Sequence, residues 1–250
     1  LCELGAHPHD PGHAMGPDPL LVFRRTRQEV ALGPGRRVHQ VVVTPTADER
    51  RMHLLLEEFS AAVRQDRGDA DRDAWLALTM LHKRAFSSAR ALELTVRRRV
   101  LGLTDPEASA QLVLPLDDDD GELDQADATP AWTGPALNDT HRERVLLSAL
   151  ADAAARAAAA ESKITRLSRL LASLGRRREH ALVFTEYRDT LRHLQAQLPT
   201  RSGVLHGGLS RAQRRAAVDD FDNDRTRLLL ATDAAGEGLN LHRSCHVVVN

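Results

Sequence analysis

Residues 228–241 read LLLATDAAGEGLNL, and this stretch decides the fold. Arg227 to Ala231 reads as a short strand, and its Leu228–Ala231 are the continuous apolar run of a strand buried on both faces. Directly after it come a hydroxyl, Thr232, two carboxylates, Asp233 and Glu237, and two glycines, Gly236 and Gly238. Open parallel sheets bind their ligands beyond the carboxyl ends of the strands. Glycine lets backbone amides approach a charged partner closely there. A dinucleotide fingerprint would need a further glycine three residues after Gly238. That position is Leu241, so the dinucleotide reading fails.

Working outward, three more strands are predicted near 181–184, 203–205 and 247–249. Leu191, Leu194 and Leu198 form a helical stripe stopped by Pro199. Ser210-Arg-Ala-Gln213 is a capping box opening another helix, with Val218 and Phe221 on its inner face. Strands alternating with helices predict an α/β fold with an all-parallel sheet. Two further loops then reach the same sheet end, Thr185-Glu186-Tyr187 and His206-Gly207-Gly208.

Upstream, the character is helical. Thr46-Ala-Asp-Glu49 is a capping box, and Met52, Leu55, Leu56, Phe59 and Val63 follow at helical spacing. Trp75 to Val100 is predicted helical, with Leu78, Leu81 and His82 inward. Val38 to Val43, β-branched and flanked by breakers, is predicted as a strand. The Asp117–Asp120 run marks a solvated linker, because four adjacent like charges repel and cannot converge on one ion. A helix is expected from about Asp139 into the 160s. A second stripe, Ile164, Leu167, Leu171 and Leu174, is expected to stop at Gly175.

Composition narrows the function classes. Hydrophobic residues are 42% but aromatics only 3%, so the core must be aliphatic. The net charge of −1 gives no global basic footprint for nucleic acid. Of the 34 basic residues only Lys83 and Lys163 are lysines; the arginine excess is chain-wide and forms no motif. Cys2 and Cys245 lie far apart without a C-x-x-C, which argues against a disulfide framework or a zinc site and favours a reduced, cytoplasmic setting. His7, His9 and His13 read as part of a Pro- and Gly-rich loop rather than as ligands. No apolar run approaches spanning length and no signal peptide is evident, so no membrane partner is expected. The chain lacks an initiator Met and is expected to be a piece of a larger protein.

ALVFTEYRDTLRHL (181–194), GVLHGGLSRAQRRAAVDDF (203–221) and LLLATDAAGEGLNLHRSCHVVVN (228–250) resemble, in order and spacing, the second-lobe motifs of Swi/Snf-type ATPases. That group lies within the superfamily-two helicases. FRRTRQEV (23–30), HKRAFSSARAL (82–92) and SKITRLSRLL (162–171) resemble its connecting segment, in particular in the bacterial RapA-like branch. The resemblance covers most of residues 21–250.

It implies an incomplete RecA-like helicase C-terminal lobe behind a mainly helical connector. Residues 1–45 would be the tail of a first motor lobe with a strand leading in, 46–115 the connector, 116–138 the acidic linker, and 139–250 the second lobe with its leading helices. It implies ATP and Mg2+ in the complete parent and neither bound by this piece alone. Asp233, Gly236, Glu237, Gly238 and Asn240 would lie at the inter-lobe cleft and couple ATP to movement. Thr232 would touch a nucleic-acid phosphate or support the loop that does. Thr185, Glu186 and Tyr187, with Phe184, would lie near the track, and His206 and Gly207 in the turn between. Expected partners are double-stranded DNA, the parent's first lobe, and an RNA polymerase or another DNA-bound complex.

The sequence departs from the family in holding no G-x-x-x-x-G-K-[ST], so the piece is expected to be inert as an ATPase. The alternative is a non-catalytic nucleic-acid- or protein-binding module derived from such a lobe. Polymerase recycling, repair and anti-phage defence all stay open.

Overall fold

A computed structural model describes residues 37–68, 71–104, 135–236, 241 and 244–250. The expected linker core, the N-terminal histidines and Cys2 lie outside these. The chain divides into a unit ending at Val42 and a larger one from Val43 to Asn250. Of the first unit only 37–42 are described. They are irregular, with Val38 and Val42 exposed. The strand expected at Val38–Val43 does not form: β-branched residues fit a pleat, but a strand needs a neighbour's ladder, and none pairs with it among the described residues.

In the larger unit, helices α1 (Ala47–Arg67), α2 (Arg72–Ser87), α3 (Ala89–Thr104) and α4 (Thr140–Ala159) share one core. α1 starts with the expected capping box: the Glu49 amide donates to Thr46 Oγ1 at 3.2 Å and the Thr46 amide to Glu49 Oε2 at 2.6 Å. Met52, Leu55, Leu56, Phe59 and Val63 are all buried. They meet Leu78, Leu81, Leu92 and Val96, and α4 closes the core with Leu147, Leu150 and Ala154. Residues 140–159, expected to lead into the second lobe, thus pack among the helices that precede them. Burying these aliphatic side chains is the main stabilising contribution here, roughly 1.5–3 kcal/mol for each Leu or Phe.

Two helices are interrupted where one was expected. Trp75–Val100 breaks at Ser88, whose backbone is extended (φ −156°, ψ 152°). Ser88 ends α2 by donating its amide to Arg84 O at 2.9 Å and starts α3 by accepting from the Ala91 amide at 3.1 Å. One serine is both C-cap and N-cap, the local bonding that draws serine out of helix interiors. The helix from Asp139 likewise breaks at Ala160-Glu161, before α5 (Ser162–Arg176). α5 passes Gly175 by one residue. The left-handed turn that follows uses Arg178, at φ 58°.

Downstream, β1 (Ala181–Thr185), α6 (Arg188–Gln197), β2 (Ser202–Leu205), α7 (Arg211–Asp222), β3 (Leu228–Thr232), a helical turn α8 (Asp233–Gly236) and β4 (Val247–Val249) follow in order. The sheet is wholly parallel, in the order β2-β3-β1-β4. Side chains alternate across it. Ala181, Val183, Leu228 and Leu230 meet Leu171, Leu174, Leu191 and Leu194 of α5 and α6. Leu182, Leu229 and Ala231 meet Phe221 of α7 on the other face. The result is a three-layer α/β unit with β3 buried throughout.

The turn Glu161–Lys163 ties the helices to this unit. Glu49 Oε1 accepts from the Ser162 amide at 3.1 Å and its hydroxyl at 2.8 Å. Lys163 Nζ donates to the carbonyls of Phe86 and Ser87, capping the end of α2. Burial by itself raises the Glu49 pKa. Hydrogen bonds from Thr46 and Ser162 outweigh it and hold the carboxyl below its usual value. A depressed carboxylate contributes stability that is complete above its unfolded pKa, roughly 4.3, and is lost as pH falls through the folded value. Glu49→Gln is therefore expected to cost stability at neutral pH. In urea titrations at stepped pH the deficit should shrink below roughly pH 4, where the parent loses the same contribution.

Candidate nucleic-acid and nucleotide edge of the sheet

Parallel register brings the predicted loops to one edge. Thr185 at the end of β1 lies beside Thr232 at the end of β3, and Leu205 at the end of β2 lies beside Ala231. The loops that start at Glu186, His206 and Asp233 therefore leave the sheet at the same level. Asp233 is exposed as the first residue of α8, and Gly236 ends that turn. Glu237, Gly238 and Asn240 lie outside the described residues. Thr232 is fully enclosed.

In the β2 loop, His206 Nδ1 accepts from the Gly208 amide at 3.2 Å, and the Leu209 amide donates to His206 O at 3.2 Å, which closes the turn around Gly207. A Cβ on Gly208 would lie 3.0 Å from Arg188 Nη2. The missing side chain thus lets the Arg188 guanidinium close over the turn, joining the β1 and β2 loops.

In the β1 loop, Thr185 and Tyr187 are buried while Glu186 is half-buried and pairs with Lys83 Nζ at 3.4 Å. Such an exposed pair contributes little to stability. The surroundings of Tyr187 were not legible in the sequence. Arg84 of α2 is completely buried, with its guanidinium carbon 4.6 Å from the Tyr187 ring centroid and Nη1 3.5 Å from Asp189 Oδ2. Arg98 of α3 reaches the same oxygen at 3.5 Å. The Thr190 hydroxyl lies 2.8 Å from both the Ser87 and Ser88 hydroxyls. The available signal was Arg84 itself: it falls three residues after Leu81, on the inward stripe, where an arginine needs buried partners.

At the exit of β3 the described residues offer one exposed carboxylate, Asp233, and in the sequence no glycine-rich phosphate loop with its lysine follows a strand. Among them no cluster of three or more His, Cys, Asp or Glu could hold a metal ion, and no helix is long and apolar enough to cross a membrane. Burial pushes the Cys245 thiol up, the opposite of an activated nucleophile.

Residues 162–250 match the model of the helicase conserved C-terminal domain. With its parallel four-stranded sheet, this part of the chain has the fold of a helicase C-terminal, RecA-like domain, preceded by helices. Similar curated proteins include DEAD-box ATP-dependent RNA helicase 21 of Oryza sativa subsp. japonica, 35% identical over 89 residues, which are 34% of this chain and 12% of that protein. ATP-dependent RNA helicase DBP3 of Meyerozyma guilliermondii is 39% identical over 92 residues, 35% of this chain and 17% of that protein. The chain thus spans only a small part of these relatives. Among solved structures, the Pyrococcus furiosus Hef helicase domain superposes with a TM-score of 0.50 at 16% identity, covering 89% of this chain and 51% of that one. That likeness extends the shared fold into the helices ahead of the sheet.

Proposed function

We propose that the chain is the connector and second motor lobe of an ATP-dependent translocase on duplex DNA, of the Swi/Snf type and its RapA-like branch. The observation that carries this reading is the seat of HKRAFSSAR (82–90). This segment resembles a Swi/Snf-type connector, and it packs directly on the loop after β1. In this reading Thr185, Glu186 and Tyr187, with His206 and Gly207, line the track. Thr232, being enclosed, supports the following loop rather than touching phosphate. Asp233, Gly236, Glu237, Gly238 and Asn240 face the cleft where a first lobe would present ATP and Mg2+. Alone, the chain is inert as an ATPase, because the phosphate cradle is not in its sequence.

A second reading, single-stranded or structured RNA as the track, is favoured by the names of the curated relatives. That support comes from alignments over 89 and 92 residues, about a third of this chain.

The test uses the complete parent, with ATP turnover measured against duplex DNA and against RNA. Duplex DNA is the expected stimulant; stimulation by RNA alone would establish the second reading. Gly238→Ala is expected to leave melting near normal and to reduce stimulated turnover at least about tenfold, roughly 1.4 kcal/mol of barrier. Lost stability with intact turnover per folded molecule would make that loop structural.

A further inference from the structure

The segment between α2 and α3 is held on two sides. On one side the turn Glu161–Lys163 grips it: Lys163 binds the Phe86 and Ser87 carbonyls, and Glu161 Oε1 accepts from the Ala89 amide at 3.2 Å. On the other side the segment itself grips the loop after β1. Arg84 covers the Tyr187 ring and shares Asp189 with Arg98. Ser87 lies 3.4 Å from the Thr185 hydroxyl, and Ser87 and Ser88 both contact Thr190.

We infer that Arg84, Ser87 and Ser88 are positioning residues that set the pose of Glu186 and Tyr187 from the helical unit. The inference rests on the proposed nucleic-acid role of that loop. A joint built only for stability would be apolar. A buried guanidinium carries a large desolvation cost, and well-packed hydrophobic replacements for buried ion pairs are often neutral or stabilising. A polar joint differs in direction. The planar guanidinium stacks on one ring face and brings Nη1 within 3.5 Å of one carboxylate oxygen. The two serine hydroxyls meet a single threonine. These contacts are made together in one relative pose, so a shift of α2 must carry the loop with it. Arg84→Met keeps the volume and removes the direction. Thr190→Val is nearly isosteric and removes the hydroxyl that both serines use.

The experiment is hydrogen–deuterium exchange on the 250-residue chain and both variants, with affinity for a short duplex DNA and for an RNA oligonucleotide measured in parallel. Amides of Thr185–Thr190 are expected to exchange at least about tenfold faster in each variant, while those of Leu229 and Leu230 in the sheet centre stay unchanged. If Arg84→Met fails to fold, Thr190→Val alone decides. Unchanged loop exchange, or a rise shared equally by the sheet centre, would overturn the inference. The affinities judge the functional reading separately. Faster loop exchange with weaker nucleic-acid binding supports both ideas. Faster exchange with unaltered affinity leaves the joint in place and removes the loop from the track.

Discussion

Glu143→Ala should be the most damaging single change in the helical unit, lowering stability by about 3–5 kcal/mol. Glu143 opens α4 and is fully buried. Its Oε1 accepts from Arg99 Nε at 3.0 Å and Nη2 at 2.7 Å, and its Oε2 accepts from the amides of Ala136 at 2.7 Å and Leu137 at 3.0 Å. Arg99 is itself only 11% exposed. Truncation would strand that cation and two backbone donors in a place water does not reach. The damage comes from breaking the set rather than from the worth of the pair, and this has its own signature. The double change Glu143→Leu with Arg99→Met should lose much less than Glu143→Ala alone. Urea unfolding followed by circular dichroism on the three proteins is the measurement. A double variant as unstable as the single one would show that the pair itself supplies the stability.

Leu230→Ala should cost about 2–5 kcal/mol, the range for large-to-small changes in a core that cannot collapse around the gap. Leu230 is fully buried in β3, with Val183 of β1 on one side and Val204 of β2 on the other, and it packs on the α5–α6 layer. Neighbours on both sides and above prevent relaxation. Val248→Ala in β4 is the matched control. That side chain is 60% exposed, and the change should stay within about 0.5 kcal/mol. Thermal melts of both variants check the contrast. A Leu230→Ala protein that melts with its parent would mean that β3 is not the centre of the core.

The strands were legible because a strand covered on both faces has little choice but to be apolar, and Leu228–Ala231 reads that way residue by residue. The helix starts at Thr46 and Ser210 were legible because a capping box is local chemistry. The breaks at Ser88 and Ala160-Glu161 were not, because they depend on partners far along the chain: Thr190 for Ser88, and Ala89 and His193 for Glu161. Val38–Val43 shows the reverse failure, strand propensity without a neighbour to pair with. At the candidate site, register explains how Thr185, His206 and Asp233 come to share an edge, and the alternation of strands and helices alone predicted that much. Spacing places Arg84 on the inward stripe of its helix, but its partners Tyr187 and Asp189, like the burial of Thr232, depend on tertiary packing.

The helical core also sets an order in time. α1, α2 and α3 are made first, yet the Leu147, Leu150 and Ala154 that cover them arrive only with α4. Synthesis proceeds at roughly 5–20 residues per second, so the interval between the end of α3 and the end of α4 is on the order of several seconds. Through that interval Leu56, Phe59, Leu81 and Leu92 lack their final cover. Their apolar face stays incompletely covered until the last long helix emerges and the three waiting ones close over it.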